Sequence, residues 1–100
     1  MDLIEWLQCW YNKNCDGDWE HVYGVVIETL DNPGWHVKID LAETKYLDIS
    51  GHNFEEDKGD NDWIRCTIEN EVFHGFGDCQ KLIKIIETFR KWIEKQVGSK

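Results

Sequence analysis

Residues Cys15 to Leu41, CDGDWEHVYGVVIETLDNPGWHVKIDL, decide the fold. The segment opens on Asp16-Gly17, a strong turn signal, because glycine takes positive φ without cost and aspartate bonds nearby backbone. An acidic cluster around Trp19 follows. From Val22 to Thr29 the residues alternate and are rich in β-branched types, which reads as a strand. After Asp31-Asn32-Pro33-Gly34 a second alternating run carries Trp35, Val37, Ile39 and Leu41 on one face and His36, Lys38 and Asp40 on the other. The two runs form a hairpin. Pairing Leu30 with Trp35 would set Val25 and Ile27 beside Asp40 and Lys38, whereas pairing Thr29 with Trp35 gathers both apolar sets on one face. The expected register is therefore Thr29 with Trp35. Leu30 to Gly34 then form a five-residue connection, with Pro33-Gly34 at the centre of a type II turn.

Outward from the hairpin, Asp2 to Lys13 reads as a short helix. Asp2 caps it with Glu5 three residues on, and Leu3, Leu7 and Trp10 form its apolar stripe, widened by Ile4 and Tyr11. Thr44 to Ser50 is a weaker strand with Leu47 and Ile49 on one side. Gly51 to Asn61, GHNFEEDKGDN, reads as a polar, acidic loop containing Phe54. Asp62 to Glu69 is a strand with Ile64, Cys66 and Ile68 inward and Trp63, Arg65 and Thr67 outward. Asn70-Glu71 makes a tight turn, and Val72 to Gly77 returns as an edge or near-edge strand whose Gly75 and Gly77 leave room for close packing. Asp78 then caps a helix over about Cys79 to Val97, with Leu82, Ile86, Phe89 and Ile93 as its stripe.

These elements predict one α+β domain over residues 1–100. Its antiparallel sheet has four to five strands, with the N-terminal helix and the longer C-terminal helix packed on one face. The other face is left partly exposed, as antiparallel sheets allow; Trp63, His36, Lys38 and Arg65 are assigned to it.

Charge is the second constraint. The chain carries 20 acidic and 11 basic residues, a net charge of -9. Through Asp78 there are 18 acidic and 5 basic residues, giving -13, while the rest of the chain contributes +4. Phosphate repulsion disfavours nucleic acid as a partner, and a basic protein suits this surface. No apolar run approaches the ~20 residues that span a bilayer, and no signal-like start is present, so a cytoplasmic, membrane-free protein is expected. Cys9, Cys15, Cys66 and Cys79 contain no CxxC pair, which disfavours a zinc site and suits reduced, packed thiols.

Motifs with catalytic spacing are missing. There is no phosphate loop and no GxSxG, and no histidine pair has helical i, i+4 spacing. Twenty acidic residues make any single carboxylate pair uninformative. Asp16, Asp18 and Glu20 alternate, yet the glycine and terminal glutamate of a calcium loop are absent. Neither metal nor cofactor is expected.

At this point the sequence is recognisable. Trp6-Leu7, Trp10-Tyr11, CDGDWEH over 15–21, Tyr23-Gly24, TLDNPGW over 29–35, Asn61-Asp62-Trp63-Ile64 and Gly75-Phe76-Gly77-Asp78 strongly resemble the bacterial immunity protein 53 family of contact-dependent and other polymorphic toxin systems. The resemblance implies a non-catalytic protein that binds and neutralises a cognate toxin domain. Charge adds the expectation that the toxin is basic, a nuclease being the natural case, and the expected mechanism is occlusion. The expected contacts are acidic groups of the first turn (Asp16, Asp18, Glu20) and of the later loop (Glu55, Glu56, Asp57, Asp60, Asp62), with Trp19 and Trp63 as aromatic anchors. Trp19 could equally be a core plug that locks the turn onto the first helix. The rival readings are a small-ligand-binding module and, behind it, a small hydrolase using carboxylates.

Overall fold

The computed structural model describes residues 2–46 and 51–98. Helix α1 (Leu3–Asn14) leads through a turn to the one-turn helix α2 (Trp19–Val22). Strands β1 (Val25–Leu30), β2 (Gly34–Asp40), β3 (His52–Asp57), β4 (Trp63–Glu69) and β5 (Val72–Gly77) follow, and helix α3 (Leu82–Gly98) ends the described chain. The strands form one antiparallel sheet in the order β1-β2-β5-β4-β3. The α+β architecture, with five strands and a helix from each end of the chain, is the expected one.

The hairpin has the expected register, with Thr29 opposite Trp35. Its connection is shorter than expected, because Leu30 also pairs with Gly34 and only Asp31, Asn32 and Pro33 remain outside the ladder. Gly34 does not take the positive φ of a type II turn. Its role is close approach: a Cβ there would lie 2.5 Å from the carbonyl oxygen of Gly77 on β5.

β5 is the central strand, not an edge. Gly75 and Gly77 explain why a glycine-rich strand sits there. A Cβ on Gly75 would overlap Ile85 Cγ2, and one on Gly77 would fall 2.6 Å from Lys81 Cβ. The missing side chains let α3 lie directly on the middle of the sheet. Ile85, Ile86, Phe89 and Ile93 of α3 are buried against Ile64, Cys66, Ile68 and Phe73 from β4 and β5 and Val37 and Ile39 from β2.

α1 docks on α3 rather than spreading over the sheet. Trp10 meets Phe89 edge-on at 5.1 Å and Trp6 meets it at 5.9 Å, while Phe89 in turn contacts Phe73 at 5.0 Å. Edge-on aromatic pairs of this kind each contribute about 0.5–1.5 kcal/mol beyond the area they bury. The buried stripe of α1 is narrower than expected: Leu7 and Trp10 are buried, whereas Ile4 and Tyr11 are exposed. At its start, the Asp2 carboxylate accepts the Glu5 N–H at 2.8 Å, as the cap predicts.

Three local expectations are corrected. The polar segment after Gly51 is largely strand β3, because its backbone completes the outer edge of β4 and Phe54 alternates inward opposite Cys66. The weak strand over 44–50 is not formed at its start: Thr44 Oγ1 donates to the Leu41 carbonyl and accepts from the Tyr46 N–H, which closes a turn. Residues 47–50, with Leu47 and Ile49, lie outside the described residues. α3 begins at Leu82 rather than Cys79, since Asp78 first closes a turn by accepting the N–H groups of Gln80 and, through its carbonyl, Lys81. Asn70-Glu71 is a tight two-residue turn as read, with positive φ at both residues (54° and 66°), the signature of a type I′ hairpin turn.

Candidate functional site

The first acidic turn is a folded unit held by its own carboxylates. Asp16 Oδ1 accepts the N–H groups of Asp18 and Trp19, both at 2.9 Å. These bonds hold its carboxyl below the ordinary aspartate value. Glu20 reaches back to the N–H groups of Asp16 and Gly17 at 2.9 and 2.8 Å. Gly17 takes φ 96°, which only glycine adopts without strain. Asp18 alone of the three acids makes no such bond in the turn and stands exposed.

This turn delivers Trp19 into the core. Its side chain is 1% exposed and packs edge-on against Trp10 at 6.0 Å and against Tyr11 at 5.7 Å. Truncating such a buried ring costs about 3–5 kcal/mol. Trp19 is thus the core plug of the two alternatives, and the toxin-anchor assignment for its ring is corrected: a ring with no exposed surface reaches no partner.

The second acidic segment lies at the other end of the sheet. α2 leads to Gly24, whose N–H donates to the Asp40 carboxylate at the end of β2. Asp57 to Trp63 adjoin the opposite end, where β2 starts. About six residues at ~3.3 Å rise separate the two ends, or roughly 20 Å. The two acidic segments named from the sequence, the first turn and the later loop, thus stand at opposite ends of the sheet.

Their carboxylates are not equally free. Asp62 Oδ1 and Asp78 Oδ2 both accept from Lys81 Nζ at 2.7 Å. Asp78, read from the sequence as a helix cap, was not counted among the site acids. It is 4% exposed and also accepts the Trp63 N–H at 2.8 Å. Burial alone would raise its pKa; the Lys81 ammonium and the N–H groups of Gln80 and Trp63 outweigh it and hold the value at about 2. Glu56 pairs with Lys84 on the helix side at 3.2 Å, and Asp57 caps its own turn through the Gly59 N–H at 3.1 Å. Asp60 and Glu55 are exposed. Trp63, half-buried, lines a concavity of about 820 Å³ with Asn32, Pro33, Asp57, Asp60 and Asp78.

α1 and α3 pack on the same face, which leaves the opposite face of the sheet without a long helix. His36, Lys38 and Arg65 lie there, as the alternation predicts, and Trp63 shares their side of its strand. Sequence reasoning passed over Glu28, His74 and Phe76, which share this face. One row crosses all five strands, Glu28–His36–Phe76–Arg65–Glu55. His36 stacks on Phe76 at 4.4 Å with planes 6° apart, and the Arg65 guanidinium lies 5.9 Å from the same ring. His36 Nδ1 meets Glu28 Oε2 at 2.7 Å, and its Nε2 meets His74 Nδ1 at 3.2 Å. Desolvation, then the neighbouring His36 and Lys38, lower the His74 pKa. The signal was available: Val72, His74 and Phe76 alternate with the inward Phe73, Gly75 and Gly77.

Among the described residues no group of three or more His, Cys, Asp or Glu is disposed to hold a metal ion, and no helix is long and apolar enough to cross a membrane. Compared with known families, the chain matches Immunity protein 53 over residues 4–94. It belongs to that family. No curated protein and no solved structure matches it. Membership in the immunity protein 53 family sets the chain among immunity proteins of bacterial toxin systems, whose task is to bind a cognate toxin. The matched range takes in both acidic segments, the whole sheet and most of α3, so each surface described above belongs to the immunity protein 53 domain itself.

Proposed function

We propose that this chain is a non-catalytic immunity protein that binds a cognate toxin domain in the cytoplasm of the producing cell and occludes its working surface. The family match over 4–94 carries the proposal. The charge supports a basic partner, a nuclease domain being the natural case: -13 through Asp78 provides electrostatic steering and discriminates against acidic competitors.

The second acidic end offers the better contact. Asp57 and Asp60 line a concavity with half-buried Trp63, with Glu55 two residues along β3 and Asp62 held by Lys81, which gives an aromatic centre with a charged rim, the arrangement of a binding hot spot. Glu56 faces the helix side and is paired with Lys84, so it is the least free acid of this segment. At the far end, Asp16 and Glu20 spend their oxygens on the turn, so Asp18 is the freer charge there. A standard interface covers about 800 Å² per partner, roughly 28 Å across, so a single toxin domain spans both ends. No nucleic acid, membrane or cofactor enters this reading.

Association kinetics with the toxin domain, measured across a salt series, test it. The association rate falls as salt rises, and Glu55→Lys with Asp57→Lys and Asp60→Lys slows it further and flattens the salt dependence. An association rate indifferent to both salt and charge reversal contradicts electrostatic steering.

A further inference from the structure

We propose that the uncovered sheet face is the principal toxin-contacting surface, and that the concavity between Glu55 and Glu69 receives a basic side chain of the toxin. This rests on the immunity reading and adds where and how the partner sits.

The first observation is the shape and chemistry of the face. A concavity of about 440 Å³ is lined by Glu55, Arg65, Thr67, Glu69, His74 and Phe76, with Asn53 at its edge. Its floor is built from β4 (Arg65, Thr67, Glu69) and the central strand β5 (His74, Phe76), both paired on two sides and β5 backed closely by α3. Phe76 is fixed between the His36 ring and the Arg65 guanidinium, and His36 is held in turn by Glu28 and His74. An aromatic ring on a rigid strand, with its neighbours already ordered, binds with little further loss of side-chain freedom.

Charge complementarity names the occupant. The carboxylates on this face are not equivalent. Glu28 is held by His36 and Asp40 by the Gly24 N–H. Glu55 and Glu69 take part in none of the ion pairs found among the described residues. Both border the concavity and both are exposed. Glu55 and Glu69 stand at opposite ends of the concavity, four β4 residues apart on either side of Arg65 and Thr67, and each suits a basic side chain such as arginine, whose planar guanidinium bonds carboxylate in bidentate fashion. Glu55 and Asp57 lie on the same side of β3, so one toxin surface covers both this concavity and the Asp57–Trp63 end.

Binding of the purified full chain to its cognate toxin domain provides the test. Glu55→Lys with Glu69→Lys is compared with Glu87→Lys, an exposed glutamate on α3. The double reversal is expected to weaken affinity at least tenfold, while Glu87→Lys stays within twofold. A second measurement uses the unaltered chain: hydroxyl-radical oxidation of Phe76 falls in the complex, while that of Ile4, exposed at the start of α1, does not. If the wild-type chain binds the toxin but the double reversal keeps full affinity and Phe76 stays oxidisable, this surface assignment is overturned and the immunity reading stands. If the wild-type chain does not bind at all, the immunity reading falls and this proposal falls with it.

Discussion

The Asp78 carboxylate accepts the backbone N–H of Trp63 at 2.8 Å, tying the approach to the last helix to the first residue of the strand beside it. The same carboxylate holds Lys81 at 2.7 Å. One buried acid therefore fixes the end of the sheet on which Trp63 and the second acidic segment stand. Its pKa is held at about 2 against an ordinary value of 3.8. A carboxyl lowered on folding stabilises the fold above its unfolded value and loses that contribution as pH falls through its folded value. The stability advantage of the wild type over Asp78→Asn is therefore expected to be constant above about pH 4 and to shrink between pH 4 and pH 2. Thermal melts of both proteins across that window check it; an advantage that does not change with pH contradicts the assignment.

Central placement of β5 depends on glycine. Gly75→Ala drives a methyl into Ile85 Cγ2 and against the Phe73 ring, whose nearest atom is 3.2 Å away. Overpacking a filled core of this kind costs about 1–3 kcal/mol. Denaturant unfolding is expected to show a lowered midpoint with an unchanged slope. A neutral result would mean that α3 does not sit as close to the sheet as described.

What the sequence revealed, and what it hid, follows from the same packing. The β1–β2 register was legible because a period of two leaves a single slip that gathers Val25, Ile27, Val37 and Ile39 on one face. β3 was hidden: HNFEED offers one aromatic residue among charges, as an edge strand with one solvated side allows. β5 reads as an edge or near-edge strand, and its two glycines show only that something packs closely; that the partner is α3 and the strand central depends on tertiary contacts. α2, a single turn, is too short to show a period. At the site, the acidic residues were legible by composition. Their separation into two ends, the burial of Trp19 and the role of Asp78 depend on tertiary contacts that no local pattern encodes.

Thiol reactivity separates core from surface. Burial pushes the Cys66 thiol up to about 12, only partly offset by Thr88 and Lys84, and the residue is 0% exposed. Cys79 is exposed. Since the thiolate is the reactive form, a disulfide reagent at neutral pH is expected to label Cys79 promptly in the native protein and Cys66 only after denaturation. Mass mapping of the labelled cysteines reads the result, and native labelling of Cys66 at the rate of Cys79 contradicts the packing of β4 against α3.

Histidine chemistry on the open face gives a milder pH effect. His74 has its pKa lowered by desolvation, so folding favours its neutral form. The sign follows: stability is full above pH 6.5, the ordinary value, and declines as pH falls from there through the lowered folded value. His74→Gln is expected to remove that part of the decline in melts between pH 7 and pH 5. A wild-type slope that survives the substitution contradicts it.

The central claim is protection from a toxin, and the most direct measurement is survival of cells that express the cognate toxin domain with and without this chain. Cells expressing the toxin alone are expected to stop growing, and cells expressing both to grow normally and yield a one-to-one complex. Continued killing in the presence of abundant, folded chain, with no complex recovered, would contradict the account.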